Sequence, residues 1–182
     1  ANVLALPGMS ARFADGAGGA ALTTPSTHTF SALYKVTDSV RLLGEYQRTS
    51  WSSLRNVTIL RGATQIGAEE YHWSDASLYS LGAEFDLSPA FTLRAGVGSD
   101  ESPTNDTHRT PRLPDNDRMI SSIGASWNVS ESLSVDAAFQ RITIDSLTIN
   151  LPVDAAAGNT STLVGSFSGH ANLYGVSMQY RF

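Results

Sequence analysis

The chain has 182 residues, no cysteine, a formal net charge of −5 and a pI near 5.2. That length provides for one domain with a full core or one modest barrel, and the acidic balance excludes a nucleic-acid-binding protein that depends on a basic surface. No apolar run approaches the roughly 18 residues of a membrane helix, which excludes a helical membrane protein. The lack of cysteine fits a compartment in which a free thiol would be oxidised.

The N-terminal segment carries few strand signals. Residues 1–24 are rich in Gly and Ala, and they lack both a start methionine and the charged-then-apolar layout of a signal peptide. They predict a loop or short helix that precedes the strands, whereas residues 25–182 predict a β domain with alternating side chains. Eight strands are expected, near 27–37, 40–50, 53–61, 76–88, 91–100, 117–129, 133–146 and 163–182.

Three stretches repeat one pattern, in which a short polar turn joins two alternating strands. The repeats cover residues 30–46, 81–97 and 123–139. Their turns lie at residues 37–39, 88–90 and 130–132 and contain the Ser, Asp and Pro residues that are typical of β-hairpins. The connections at the other end are long and polar, at residues 49–75, 99–117 and 144–162. This asymmetry is typical of bacterial outer-membrane barrels, whereas a sandwich would mix loop lengths at both ends.

The alternation sorts the strand residues onto two faces. The apolar set contains Phe30, Tyr34, Leu42, Tyr46, Leu81, Phe85, Phe91, Leu93, Ile123, Trp127, Val135 and Phe139. The polar set contains Lys35, Arg41, Glu45, Glu84, Asp86, Arg94, Ser126, Asn128, Asp136 and Gln140. In a membrane barrel the first set faces lipid and the second faces the lumen. Aromatic residues close to the short turns predict an interfacial girdle of Tyr34, Phe85, Phe91, Trp127, Tyr180 and Phe182.

The last eleven residues alternate from Tyr174 to Tyr180 and end on the aromatic Phe182. A soluble β domain could also end on an alternating strand, but such a strand rarely leaves an aromatic residue as the solvated terminus. The pattern therefore favours an all-β fold, and specifically an antiparallel transmembrane β-barrel. Such a barrel would lie in the bacterial outer membrane. The terminal Phe182 resembles the assembly signal of this class, so the barrel-assembly machinery is an expected partner.

Three groups of residues resemble one known family. They are Ser50-Trp51-Ser52-Ser53-Leu54, Trp73-x-Asp75 before the strand at 81–85, and Asp100-Glu101-Ser102-Pro103 followed by Arg109 and Pro114-Asp115-Asn116-Asp117-Arg118. From about Thr24 onward the chain resembles the C-terminal part of the FadL/TodX family of outer-membrane transporters for long-chain fatty acids and hydrocarbons. That family builds a fourteen-stranded barrel with an N-terminal hatch, and the resemblance covers its last eight strands. The chain is then either part of a larger transporter or a shortened relative that closes as an eight-stranded barrel.

The resemblance implies passive uptake of a hydrophobic small molecule, without cofactor, metal or catalytic residue. Outer-membrane lipid and lipopolysaccharide are the other implied partners. Fatty-acid carriers of the family place a Lys shortly before the aromatic-x-Asp element, where this chain has Glu69-Glu70. A carboxylate there would repel the carboxylate of a fatty acid, which favours an uncharged hydrocarbon or another hydrophobic compound.

Charged residues around one long loop are the candidate site. The candidates for the substrate path or for a loop-fixing ion-pair network are Asp100, Arg109, Arg112, Asp115, Asp117 and Arg118. Arg118 begins a strand on the inward face, and Arg112 is expected to contact lipopolysaccharide or a substrate headgroup. Two other functions stay open: a small structural or adhesion barrel, and a lipid-modifying enzyme using His170 with Ser166 or Ser168. The four histidines show no metal-ligand spacing.

Overall fold

The computed structural model describes residues 16–153 and 161–182. Within them the fold is all-β, as predicted, with one short 3₁₀ turn at Trp51–Ser53. The strands are β1 (Gly18–Ala20), β2 (Thr27–Lys35), β3 (Val40–Thr49), β4 (Asn56–Arg61), β5 (Thr64–Glu70), β6 (Ala76–Ser88), β7 (Phe91–Asp100), β8 (Arg118–Asn128), β9 (Leu133–Leu151) and β10 (Leu163–Tyr180).

Seven strands form one antiparallel wall in the order β10-β9-β8-β7-β6-β3-β2. Within the wall each strand pairs with the next one along the chain, except that β3 pairs with β6 across the excursion that contains β4 and β5. Strands β2 and β10 are the two edges, and no pairing joins them within the part of the chain that the structure describes. The wall is therefore an open part of a barrel, and the alternative of a closed eight-stranded barrel is wrong for these residues.

The third predicted strand does not belong to the wall. Asn56–Arg61 pairs with Thr64–Glu70 and with Gly18–Ala20 in a separate three-stranded sheet. Gly62 makes the turn between the two longer strands with a positive φ of 58°, a conformation that glycine adopts without steric cost. The prediction assigned one strand too many to the wall, because an alternating run looks the same in a wall strand and in a hairpin that lies in a loop.

Two further boundaries differ from the prediction. Gly18–Ala20 is a short strand within the segment expected to be a loop or short helix, and residues 1–15 lie outside the described residues. At the other end of the chain, β9 runs to Leu151 although the prediction ended it at residue 146. The register between β9 and β10 shifts between Phe167 and Gly169, and this irregularity hid the continuation of the alternation.

Register places the two predicted side-chain sets on opposite faces of the wall. Residues directly opposite one another in antiparallel strands share a face, and the pairs Phe91↔Trp127, Trp127↔Val135 and Val135↔Met178 continue one apolar row across four strands. The large apolar side chains of this face are exposed, as expected of a surface that lipid covers. We call this the lipid face and the opposite one the lumen face.

Apolar burial is concentrated at the long-loop end. The buried hydrophobic residues of the described chain are Leu54, which directly follows the 3₁₀ turn, Ala76 at the start of β6, and Leu147 and Ile149 in the upper part of β9. No helix in residues 16–153 or 161–182 is long and apolar enough to cross a membrane. The folded loops thus form a small packed cap on one end of the wall.

Candidate functional site

Charged side chains link neighbouring strands on the lumen face near the short turns. Arg41 on β3 donates from Nε to Glu84 at 2.7 Å and, through both terminal nitrogens, to Asp86 at 2.6 and 2.8 Å. Arg94 on β7 donates to the other oxygen of Glu84 at 2.7 Å. Paired guanidinium and carboxylate groups of this geometry are among the stronger polar contacts in proteins.

The same row continues across the rest of the wall. Arg94 also donates to Ser126 on β8, Ser126 donates to Asp136 on β9, and Ser177 on β10 donates to Asp136 at 3.2 Å. We call the whole set, from Arg41 to Ser177, the short-turn ladder. Its members from the predicted inward set share one face, because each contacts its neighbour directly across adjacent strands.

Above the short-turn ladder the lumen face becomes apolar and deeply hollowed. A cavity of about 710 Å³ lies against the middle of the wall. Its apolar and small lining residues include Leu33, Leu43, Leu78, Gly82, Gly96, Gly98 and Ile120. A Cβ added to Gly96 would lie 3.1 Å from the Ser122 hydroxyl and 3.4 Å from the Leu81 carbonyl oxygen, so the absence of a side chain deepens the hollow. We call this hollow the mid-wall groove.

A second charged cluster lies above the mid-wall groove, where β7 and β8 leave the wall. Arg118 donates from one terminal nitrogen to Asp100 at 2.7 Å and from the other to Asp115 at 2.6 Å. Asp115 also accepts the Ser102 hydroxyl at 2.8 Å, while Asp117 accepts the Ser102 backbone N–H at 2.8 Å. Four of the six candidate site residues therefore meet at the base of one loop, and their part in a substrate path stays a prediction.

Arg109 holds the loop between β7 and β8 from inside. Its side chain is only 6 % exposed. It donates from Nε to the backbone carbonyl of Asp115 at 2.9 Å and from a terminal nitrogen to the Thr104 hydroxyl at 3.2 Å, and it pairs with Asp106. A guanidinium surrounded by loop acceptors fixes the loop's path, so the geometry favours the network interpretation of Arg109 over direct contact with a substrate.

Arg112 has a carboxylate partner in the structure, and its expected contact with lipopolysaccharide or a substrate headgroup stays a prediction. Both oxygens of Glu69 on β5 accept from its terminal nitrogen, at 2.7 and 2.8 Å. The repulsion that the sequence suggested at Glu69 is therefore offset by a neighbouring cation, and Glu70 hydrogen-bonds to His72 at 2.8 Å. Sequence could not reveal this pair, because two separate loops bring the residues together.

Aromatic side chains line a second cavity, which lies beside the Arg118 cluster at the long-loop end and which we call the upper chamber. The Trp51 and Trp73 rings meet edge to face with centroids 5.0 Å apart, and the Tyr71 ring packs on Trp73 at 5.3 Å. A chamber of about 560 Å³ is lined by both tryptophans together with Asp100 and Arg118. Trp51 and Trp73 belong to two of the motifs that carry the family resemblance, but no pattern in the sequence predicted that their rings meet.

Asp75 ties the 3₁₀ turn to the wall. One of its oxygens accepts the Ser52 backbone N–H at 3.0 Å, and the other accepts from Arg48 at 3.4 Å. Hydrogen bonds from the Ser52 hydroxyl and backbone, with a smaller effect of the Arg48 charge, lower the pKa of the Asp75 carboxyl below its ordinary value. The ionised form is thus favoured by folding.

Replacing Asp75 by asparagine should therefore loosen the Trp51 turn in a pH-dependent way. Folding lowers the pKa of the Asp75 carboxyl, so the stability that the carboxylate contributes is complete above its ordinary pKa of about 4. This stability is lost as the pH falls through the lower pKa of the folded state. Tryptophan fluorescence of the full-length protein, followed against denaturant, should differ between wild type and Asp75→Asn at pH 7 and converge in strong acid. An equal difference at both pH values would contradict this.

The six predicted girdle residues are exposed at the short-turn end of the wall or at its terminus. Phe91 and Trp127 are paired in register, and the Tyr180 and Phe182 rings meet at 5.1 Å. Contact with the membrane interface and with the assembly machinery stays a prediction for these residues. His170 lies opposite Thr143 on the lipid face, without a hydrogen bond to Ser166 or Ser168 within the described segments.

Comparisons with known proteins agree with this architecture. A family model described as outer membrane protein transport protein (OMPP1/FadL/TodX) matches residues 3–182. The 47 kDa outer membrane protein of Pasteurella multocida is 31 % identical over 166 residues, which cover 88 % of this chain and 36 % of that protein. The long-chain fatty acid transport protein of Escherichia coli K12 is 30 % identical over 104 residues, covering 56 % of this chain and 23 % of that protein.

A solved structure shares the fold. The crystal structure of a Pseudomonas aeruginosa FadL homologue superposes with a TM-score of 0.83 at 24 % identity, over 91 % of this chain and 37 % of that one. The chain thus spans little more than a third of the length of the first of these relatives and of the solved structure.

Proposed function

The chain belongs to the outer membrane transport protein family (OMPP1/FadL/TodX), and we propose that it forms the lumen wall of a channel for passive uptake of hydrophobic small molecules. The mid-wall groove is the observation that carries this proposal. A lumen that served water or ions alone would be polar throughout, whereas this one becomes largely apolar at mid-height, with Glu45 and Gln140 among its polar lining residues. Uptake would be driven by apolar burial, without an energy source.

The part of the ligand that this wall accommodates is uncharged. Arg41, Arg94 and Arg118 on the lumen face all have carboxylate partners within 2.7 Å. A fatty-acid carboxylate would therefore find no unpaired arginine among these three. The proposal accordingly assigns a hydrocarbon, or the alkyl chain of a fatty acid, to the mid-wall groove.

The chamber above the groove suits a capture role. Trp51 and Trp73 provide apolar surface beside the ion pair of Asp100 and Arg118, so a ligand entering from the loops would meet aromatic rings before the groove. Polar residues fix the loops, and the aromatic residues supply the burial that retains the ligand.

Filling the groove should impair uptake. Ser80 lies on the lumen face opposite Gly98 and lines the cavity, so Ser80→Phe places a ring over the glycine floor. In cells that depend on the full-length protein, we expect the uptake rate of a hydrophobic hydrocarbon to fall about tenfold, because a ring displaces the cargo from its apolar surface.

Ser134→Phe is the matched control. Ser134 lies on the same face but beside the short turns, outside the mid-wall groove. The Ser134→Phe variant should fold and should take up the hydrocarbon at about the wild-type rate. Equal uptake in Ser80→Phe and wild type, at equal amounts of folded protein in the outer membrane, would show that the mid-wall groove is not on the path.

A further inference from the structure

One charged residue interrupts the apolar lipid face. Arg141 on β9 lies in register between Ser121 on β8 and Asn172 on β10, and its terminal nitrogen donates to the Asn172 side-chain oxygen at 3.3 Å. The next row toward the short turns is Ile123, Phe139 and Tyr174, all apolar or aromatic. Three adjacent strands thus turn polar in the same row of a face that is otherwise built for lipid.

The charge of Arg141 has no counter-ion in the described structure. Arg41, Arg94 and Arg118 face the lumen and are paired with carboxylates, whereas no carboxylate of residues 16–153 or 161–182 lies within 4 Å of the Arg141 guanidinium. Its side chain is exposed on the lipid face. An arginine in contact with lipid is costly unless an anion or the headgroup layer satisfies it.

The height of Arg141 places it near the outer headgroups. It lies eight residues beyond the start of β9 at Leu133. At about 3.3 Å per residue and a tilt of about 40°, this corresponds to roughly 20 Å above the short-turn end, within an apolar band about 25 Å tall. The long loops mark the external side of such barrels, so Arg141 reaches the outer leaflet.

An apolar hollow lies directly below this polar row. A cavity of about 720 Å³ opens on the lipid face. Small side chains, among them Ala95, Ala125 and Ala137, line its middle, and larger ones, among them Phe85, Phe139 and Tyr174, line it as well. The Phe139 and Tyr174 rings, 5.1 Å apart, stand between the hollow and the Arg141 row.

We propose that this surface binds one molecule of a phosphorylated lipid of the outer leaflet. The phosphate accepts from the Arg141 guanidinium and the Asn172 amide, with the Ser121 hydroxyl in the same row, and an acyl chain fills the hollow over Ala95, Ala125 and Ala137. An arginine offers paired donors to a phosphate, which explains why a single charge is placed here. Lipid binding at this surface requires no transport through the lumen.

The test is direct lipid binding to the full-length protein. The protein, delipidated in detergent, is titrated with bis-phosphorylated lipid A, with its dephosphorylated counterpart and with inorganic phosphate, and bound lipid is counted by native mass spectrometry. We expect one tightly bound lipid A, and Arg141→Gln should weaken it about tenfold or more, because one charge-assisted contact is lost. Ala125→Leu, which fills the hollow, should weaken it as well.

Two matched variants control for charge and bulk. Lys35→Gln removes one cation from the short-turn end, and Ala32→Leu adds the same bulk to the lipid face outside the hollow. Both should bind lipid A as the wild type does. If Arg141→Gln does not fold, Arg141→Lys, which keeps the charge but loses the paired donors, should still weaken binding, and the Ala125→Leu comparison stands by itself.

Three outcomes would overturn the proposal. Unchanged affinity in Arg141→Gln would mean that a carboxylate from another strand satisfies this arginine. Equal binding of the dephosphorylated lipid would mean that the phosphate is not recognised. Displacement of lipid A by millimolar inorganic phosphate would identify a site for the free ion and not for the lipid.

Discussion

Replacing Arg109 by methionine should release the loop between β7 and β8 from the cap at the long-loop end. Methionine keeps most of the side-chain volume but removes the guanidinium donors to the Asp115 carbonyl and to the Thr104 hydroxyl, so that the carbonyl keeps only its hydrogen bond from that hydroxyl. The partner Asp106 is 89 % exposed, so its carboxylate is rehydrated and the cost arises mainly from the two neutral acceptors. We expect a loss of about 2–3 kcal/mol in local stability.

The measurement is hydrogen exchange of the full-length protein, read on peptides that cover residues 101–117. Arg112→Met is the matched control, because Arg112 belongs to the same loop and is also paired with a carboxylate, but is 72 % exposed. Its loss should cost about 0–1 kcal/mol. Equal deprotection in the two variants would show that the buried position of Arg109 has no particular role.

Replacing Arg118 by methionine should leave two carboxylates facing one another at the junction of β7 and β8. The carboxylates of Asp100 and Asp115 both accept hydrogen bonds from the Arg118 guanidinium, with nitrogen–oxygen distances of 2.7 and 2.6 Å. All three side chains are partly exposed, so water compensates for part of the loss. We expect a destabilisation of about 1–2 kcal/mol, visible as faster exchange of residues 101–117 and earlier thermal unfolding.

A double variant separates charge from packing in this prediction. Adding Asp115→Asn to Arg118→Met removes one uncompensated carboxylate and should restore part of the stability, although Asp115→Asn alone weakens the Ser102 contact. Arg55→Met, at an exposed arginine of the same end, should change neither property. If Asp115→Asn instead deepened the loss in the Arg118→Met background, repulsion between the two carboxylates would not explain the effect of Arg118→Met.

Alternation predicted all seven strands of the wall and their two faces, although it also added one hairpin strand that lies outside the wall. Arg41, Glu84 and Arg94 were assigned to one face from their positions in the strands, and direct contacts join them. This worked because a period of two is a property of each strand alone, and because hairpins with short turns fix the register of neighbouring strands. The family resemblance added the outer-membrane location, which the family model match confirms.

Contacts between loops could not be predicted in the same way. Arg112 and Glu69 are 43 residues apart, and the chain reaches their contact only through the hairpin of β4 and β5. One strand of that hairpin, β4, was predicted to be a wall strand, because its residues alternate as those of wall strands do. Arg141 follows the alternation onto the lipid face, so its position could have been found from sequence, but its lack of a carboxylate partner could not.

The three levels of the lumen face imply that the wall is not equally stiff along its height. The short-turn ladder and the Arg118 cluster bind adjacent strands through their side chains, and these bonds resist sliding of one strand past the next. Between them, Gly82, Gly96 and Gly98 have no side chains to join β6 and β7, and the lumen-face side-chain hydrogen bonds at this height are the isolated ones of Ser31 with Glu45 and of Ser122 with the Gly96 carbonyl among the described residues. We therefore expect the middle of the wall to deform more easily than its two ends, where side-chain bonds hold neighbouring strands in register.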